Sequence, residues 1–143
     1  MNELLFVLDV KDGWPPVAVE CLPCKPLADG FLIEEAPLFI KNLSAGDIIS
    51  AKFDDERRVI SWEHLKESGR STIWLLRLAK TDSIMDVLED LRALGCNTVR
   101  LPQFGCYSID VPEECAIADV DACLAKLNHA EVAVAFPSFR HEE

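Results

Sequence analysis

The chain is poor in positive charge. It has 14 Lys and Arg against 25 Asp and Glu, a formal net charge of −11. Nucleic acid and anionic membrane surfaces select basic proteins, so neither is expected as a partner. Histidine is scarce too. The three, His64, His129 and His141, lie far apart and flank no cysteine motif. Zinc needs four ligands at close spacing, and the one CxxC, Cys21–Cys24, has neither a second pair nor a nearby His. No metal and no cofactor is therefore expected. Phosphate-cradling motifs are missing as well: Ser68-Gly69-Arg70-Ser71-Thr72 lacks the Walker spacing and its Lys. No apolar run approaches the roughly 18 residues of a membrane span. The opening MNELLFVLDV has no basic n-region and is soon interrupted by Lys11 and Asp12, so no signal peptide is expected and a cytoplasmic location is.

Apolar residues are plentiful. They make up 50% of a 143-residue chain, enough for one large domain or two small ones and too many for disorder. Six cysteines without a secretory context read as free, mostly buried thiols rather than disulfides.

The second half has the clearer rhythm. Ser71–Ala79 is an apolar run of strand length. Ile84, Val87, Leu88, Leu91 and Leu94 recur at helical spacing, with Ser83 as the expected cap and Gly95 as the stop. Cys96–Leu101 and Cys106–Val111 read as a strand pair joined around Pro102–Gly105. Ile117, Val120, Leu124 and Leu127 form a second stripe, and Glu131–Phe136 a last strand. Strand, helix, strand, strand, helix, strand is the ferredoxin-like order.

The first half shows short strands with turn signals every eight to twelve residues. Lys11-Asp12-Gly13 and Ala28-Asp29-Gly30 are turns, Asp54–Arg57 a charged hairpin tip, and Phe31–Phe39 an edge strand or two short pieces broken at Pro37. The expected fold is α+β: residues 1–67 a small antiparallel barrel-like half, residues 68–143 a ferredoxin-like half. The join at Glu67–Arg70 is short, so the two should pack as one unit.

Candidate sites are few. The CxxC precedes Lys25-Pro26, which forbids the helix N-terminus a redox pair needs, so it reads as two strand thiols. A hydrolase would use the Ser68–Thr72 loop or a cysteine with His64 or His129, yet no motif unites nucleophile, base and oxyanion site. No catalytic residue is assigned. Asp54, Asp55 and Glu56, and Glu113 and Glu114, are acidic clusters that a basic partner would meet. Trp14, between Gly13 and Pro15-Pro16, reads as a staple between the halves.

Asp12-Gly13-Trp14-Pro15-Pro16-Val17, Glu20, Ser44–Ala51, Ser68-Gly69 with Ser71-Thr72, Leu94-Gly95-Cys96 and Ile109–Pro112 occur together and in order. In these motifs the chain resembles a small bacterial family, domain of unknown function 4265. The family commonly carries His where this chain has Arg70. The resemblance implies a bacterial cytosolic setting and brings no activity. Asp12, Gly13, Trp14, Pro15, Ser68, Gly69, Ser71 and Thr72 are family-motif positions without an assigned role.

The expected function is an acidic protein-binding module, an immunity- or antitoxin-like protein that blocks a basic toxin domain. The alternatives are a small-molecule-sensing module, whose ferredoxin-like halves would pair edge to edge as a homodimer, and an unrecognised hydrolase.

Overall fold

In the computed structural model, which describes residues 2–141, the chain is α+β, with two sheets and two helices. Five strands come first: β1 (Glu3–Val7), β2 (Val19–Pro26), β3 (Phe31–Ile33), β4 (Ile48–Phe53) and β5 (Val59–Lys66). They close into a barrel through antiparallel neighbours and one parallel contact, Phe6 beside Val59. The alternation of β1 explains the closure. Leu4 and Phe6 point inward to Leu22, Ile33, Ile49 and Val59, while Glu3, Leu5 and Val7 face out.

The remaining elements are β6 (Ser71–Arg77), α1 (Ser83–Ala93), β7 (Asn97–Leu101), β8 (Cys106–Val111), α2 (Ile117–Leu124) and β9 (Val132–Ser138). The strands form an antiparallel sheet in the order β7-β8-β6-β9. Ile84, Val87, Leu88 and Leu91 of α1, with Val120 and Leu124 of α2, pack on Ile73, Leu75, Ile109 and Val111. Each such side chain taken from water contributes about 1.5–3 kcal/mol. Among the described residues no helix is long and apolar enough to cross a membrane.

Two local expectations need correction. Ser83 is the first residue of α1, not its cap. Asp82 holds the cap position without a side-chain bond, and the Ser83 hydroxyl turns to Thr81, 2.9 Å away. Gly95, at φ +98°, does end the helix: its N–H reaches the Arg92 carbonyl and the Cys96 N–H the Leu91 carbonyl, the paired bonds of a Schellman turn. The Phe31–Phe39 run keeps strand pairing only over Phe31–Ile33. From Glu34 the chain becomes a strap that crosses to the sheet, because Ala36 and Pro37 find partners there. The Trp74 indole donates to the Pro37 carbonyl at 2.7 Å and the Ser108 hydroxyl to the Ala36 carbonyl at 2.9 Å. Helices thus cover one side of β8 and the strap the other, and every residue of β8 is buried.

Candidate functional site

Most chemistry-bearing residues of the motifs meet where barrel and sheet join. Gly46, at φ +83°, turns Ser44-Ala45-Gly46-Asp47 sharply and aims Asp47 into the join. Asp47 is 0% exposed. Its carboxylate accepts the N–H groups of Ser44 and Ser68 at 3.0 and 2.9 Å, lies 2.9 Å from His64 Nε2, and is forked by the Arg140 guanidinium. Burial pushes this carboxyl up, but Arg140, the two N–H groups and His64 outweigh it and hold it below the usual carboxylate range. Beside it the Ser44 hydroxyl bonds Thr72 and Ser138, each at 2.9 Å, tying the strap to β6 and β9. Arg70 forks Asp110 with two 2.8 Å bonds, and Asn97 adds a third at 3.1 Å.

The join also holds a serine–histidine pair. Ser71 Oγ is 2.6 Å from His141 Nδ1, and His141 Nε2 is 2.7 Å from the Pro112 carbonyl. A carbonyl only accepts, so Nε2 bears a proton, and in the tautomer that leaves Nδ1 bare Ser71 donates to it. That is the bonding of a nucleophile to its base. The surroundings differ from a catalytic site. Ser71 is 0% exposed, and its oxygen also accepts the Arg140 N–H at 2.7 Å. An electrophile has no approach to it. Of the expected histidines, His64 reaches the join but bonds Asp47 rather than Ser71, and His129 is exposed beyond α2. Among the described residues every buried side-chain nitrogen and oxygen has a partner. The join is a closed polar lock, and its bonds hold the two units together.

The thiols are quiet. Cys24, Cys96, Cys106 and Cys123 are buried, and burial with the neighbouring Cys115 pushes Cys96 up to about 12. Cys21 and Cys24 both lie within β2, and among the described residues no cluster of His, Cys, Asp and Glu has the shape of a metal site.

The structure does not gather the acidic clusters into one patch. Asp54 is a turn-former: its carboxylate accepts the N–H groups of Glu56 and Arg58 and pairs with the Arg58 side chain at 2.8 Å. Asp55 and Glu56 are exposed at that tip, with Glu56 3.5 Å from Arg58. Glu113 and Glu114 are exposed at the other end of β5, where the Glu113 carboxyl rests on Gly69. At about 3.3 Å per strand residue the two clusters are roughly 25–30 Å apart.

The accessible feature is Trp14. Asp12 and Gly13 both have positive φ, and Lys11 and Trp14 exchange backbone bonds of 2.9 and 3.0 Å, a two-residue hairpin that presents the indole. Trp14 is 49% exposed, so it is not the buried staple its setting suggests; Trp74 and the Ser44 hydroxyl fasten the halves instead. The indole stands edge-on to Phe39, ring centres 5.9 Å apart, over a groove of about 230 Å³ lined by Trp74, Leu76, Cys106 and Ala135. Glu20 holds Phe39 in place. Both carboxylate oxygens accept successive N–H groups of the strap, Leu38 at 2.6 Å and Phe39 at 2.9 Å. The side chain is 7% exposed, and burial pushes its pKa to about 7 against those two bonds.

Asp47, Arg140, His141 and Ser138 escaped the reading of the residues as site members. Asp47 stood inside a family motif, which was the one available signal. Nothing in the Ser138–His141 stretch marks it as a partner of residues some 70 positions earlier.

A family model described as "Domain of unknown function (DUF4265)" matches residues 20–135. No curated protein matches the chain. A solved structure titled "Novel crystal structure of a hypothetical protein from Neisseria gonorrhoeae" is similar, with 22% identity, a TM-score of 0.74, and coverage of 96% of this chain and 94% of that one. At that identity the likeness shows the fold alone.

Proposed function

We propose, from the premise that the chain belongs to the DUF4265 family, that it is an acidic protein-binding module which neutralises a basic partner domain, in the manner of an immunity or antitoxin protein. The observation that carries this is Trp14: a half-exposed indole, held by a tight hairpin and by Phe39, above an apolar groove. A rigid aromatic at a desolvated groove is the type of residue that dominates interface energetics. The −11 net charge selects a basic partner and speeds its encounter. The hydrolase alternative loses ground because the serine nearest a histidine is sealed inside the polar lock. We read the second unit as ferredoxin-like and the first as its barrel-like partner, a reading supported by the strand order β7-β8-β6-β9 with both helices on one face.

Affinity capture with wild-type and Trp14→Ala baits, each at low and high salt, tests the proposal. A basic protein held by wild type at low salt, thinned by salt and lost from Trp14→Ala is the expected result. Capture of no basic protein, or equal capture by both baits, overturns it.

A further inference from the structure

The sheet leaves β7 unpaired on its outer side: β8 is its one strand neighbour among the described residues. An edge strand presents a row of free backbone donors and acceptors. The other edge, β9, is blunted by Pro137, whose carbonyl is also taken by the Asn42 N–H at 2.9 Å. Asn97–Leu101 carries no proline and no lysine.

The two faces of β7 differ in charge. Asn97 and Val99 pair with Asp110 and Ser108 and share the strap side of the sheet. There a groove of about 450 Å³ runs beside the strand, walled by Glu34, Glu35 and Ala36 of the strap, with Arg92 and Thr98 on its lining. It reaches Asp110, already forked by Arg70, so that among the described residues Glu34 and Glu35 are its unpaired carboxylates. Glu34 and Glu35 are exposed, and among the described residues neither carboxylate has a cationic partner within salt-bridge reach. Thr98 and Arg100 share the helix side, where the Arg92 guanidinium bonds Thr98 at 2.9 Å and Arg100 is exposed. That side repels cations.

We infer that β7 is a docking edge for an extended basic peptide segment, which adds as a fifth strand of the sheet. Side chains of a strand alternate between faces. Every second side chain of the added strand therefore enters the groove beside Glu34 and Glu35, and those positions take Lys or Arg. The intervening positions lie over Thr98 and Arg100 and take apolar or acidic residues. Backbone bonds supply affinity, and the groove supplies the alternating preference. The basic character of the occupant rests on the protein-binding reading; the edge itself is independent of Trp14.

The test is an NMR titration of the full ¹⁵N-labelled chain with a capped hexapeptide alternating Lys and Val. Its control is the same peptide with Glu in place of Lys. Amide shifts centred on Asn97–Leu101 and Glu34–Ala36, with binding at least about tenfold tighter than the control and about tenfold weaker in a Glu34→Lys/Glu35→Lys variant, are expected. No shift at β7, shifts centred elsewhere, or binding indifferent to the double reversal overturns the inference. Because the titration needs no natural partner, its failure leaves a Trp14-dependent capture standing. Peptide binding at β7 beside a blank capture would instead keep the edge and remove the Trp14 interface.

Discussion

Asp47 carries a charge out of water and is compensated from four directions. Replacing it with Ala takes from the Arg140 guanidinium its forked carboxylate, leaving Glu67 at 3.8 Å and the Ser68 carbonyl, and removes the acceptor of the buried Ser44 N–H and the half-buried Ser68 N–H. Breaking a buried pair in this way costs about 3–5 kcal/mol, which a fall in the urea midpoint will register. Its pH dependence is separate from that of Glu20. A carboxyl held low stabilises the fold above its unfolded pKa, so the Asp47 contribution is lost as pH falls below about 4. Glu20 runs the other way. Its folded pKa of about 7 lies above the ordinary 4.5, so the folded state keeps the proton and stability falls as pH rises from 4.5 through 7. For that shift the fall is on the order of 3 kcal/mol. Urea melts across this window should show the slope in wild type and a flat profile in Glu20→Gln. A wild-type profile as flat as that of Glu20→Gln would contradict the burial argument. These two carboxylates were hard to read from the residues alone. Apart from Ser44, three positions from Asp47, their partners lie 17 to 93 positions away, which composition and spacing do not reveal.

The elements were more legible, because period and punctuation are local. The stripe Ile84–Leu91 and the Gly95 stop each appear in the structure where spacing put them. Strands that depend on distant neighbours were harder. Phe31–Phe39 is apolar enough for a longer strand, yet beyond Glu34, whose N–H still reaches the Pro23 carbonyl of β2, its backbone bonds go to Glu20, Trp74 and Ser108. Gly95 offers a test at this scale. Nothing lies within 4 Å of an added Cβ, so Gly95→Ala meets only the cost of the left-handed backbone. About 1 kcal/mol should be lost, visible as a drop of a few degrees in Tm. A variant as stable as wild type would show that the Schellman turn contributes little to the end of α1.

At the scale of the whole molecule, two apolar cores are fastened by a polar lock, and the function proposed here lies outside both. The acidic balance was plain in the sequence and is what the proposal of a basic partner draws on. The place of contact was not, since Trp14 beside Gly13 and Pro15 suits a buried staple as well as an exposed anchor. The most direct test of the account is calorimetric titration of the captured basic partner into wild-type and Trp14→Ala protein at increasing salt. The account predicts wild-type affinity that weakens as salt rises, and a loss of at least about 2 kcal/mol on truncating the indole, roughly thirtyfold in Kd. Affinity that ignores both salt and Trp14 would contradict it.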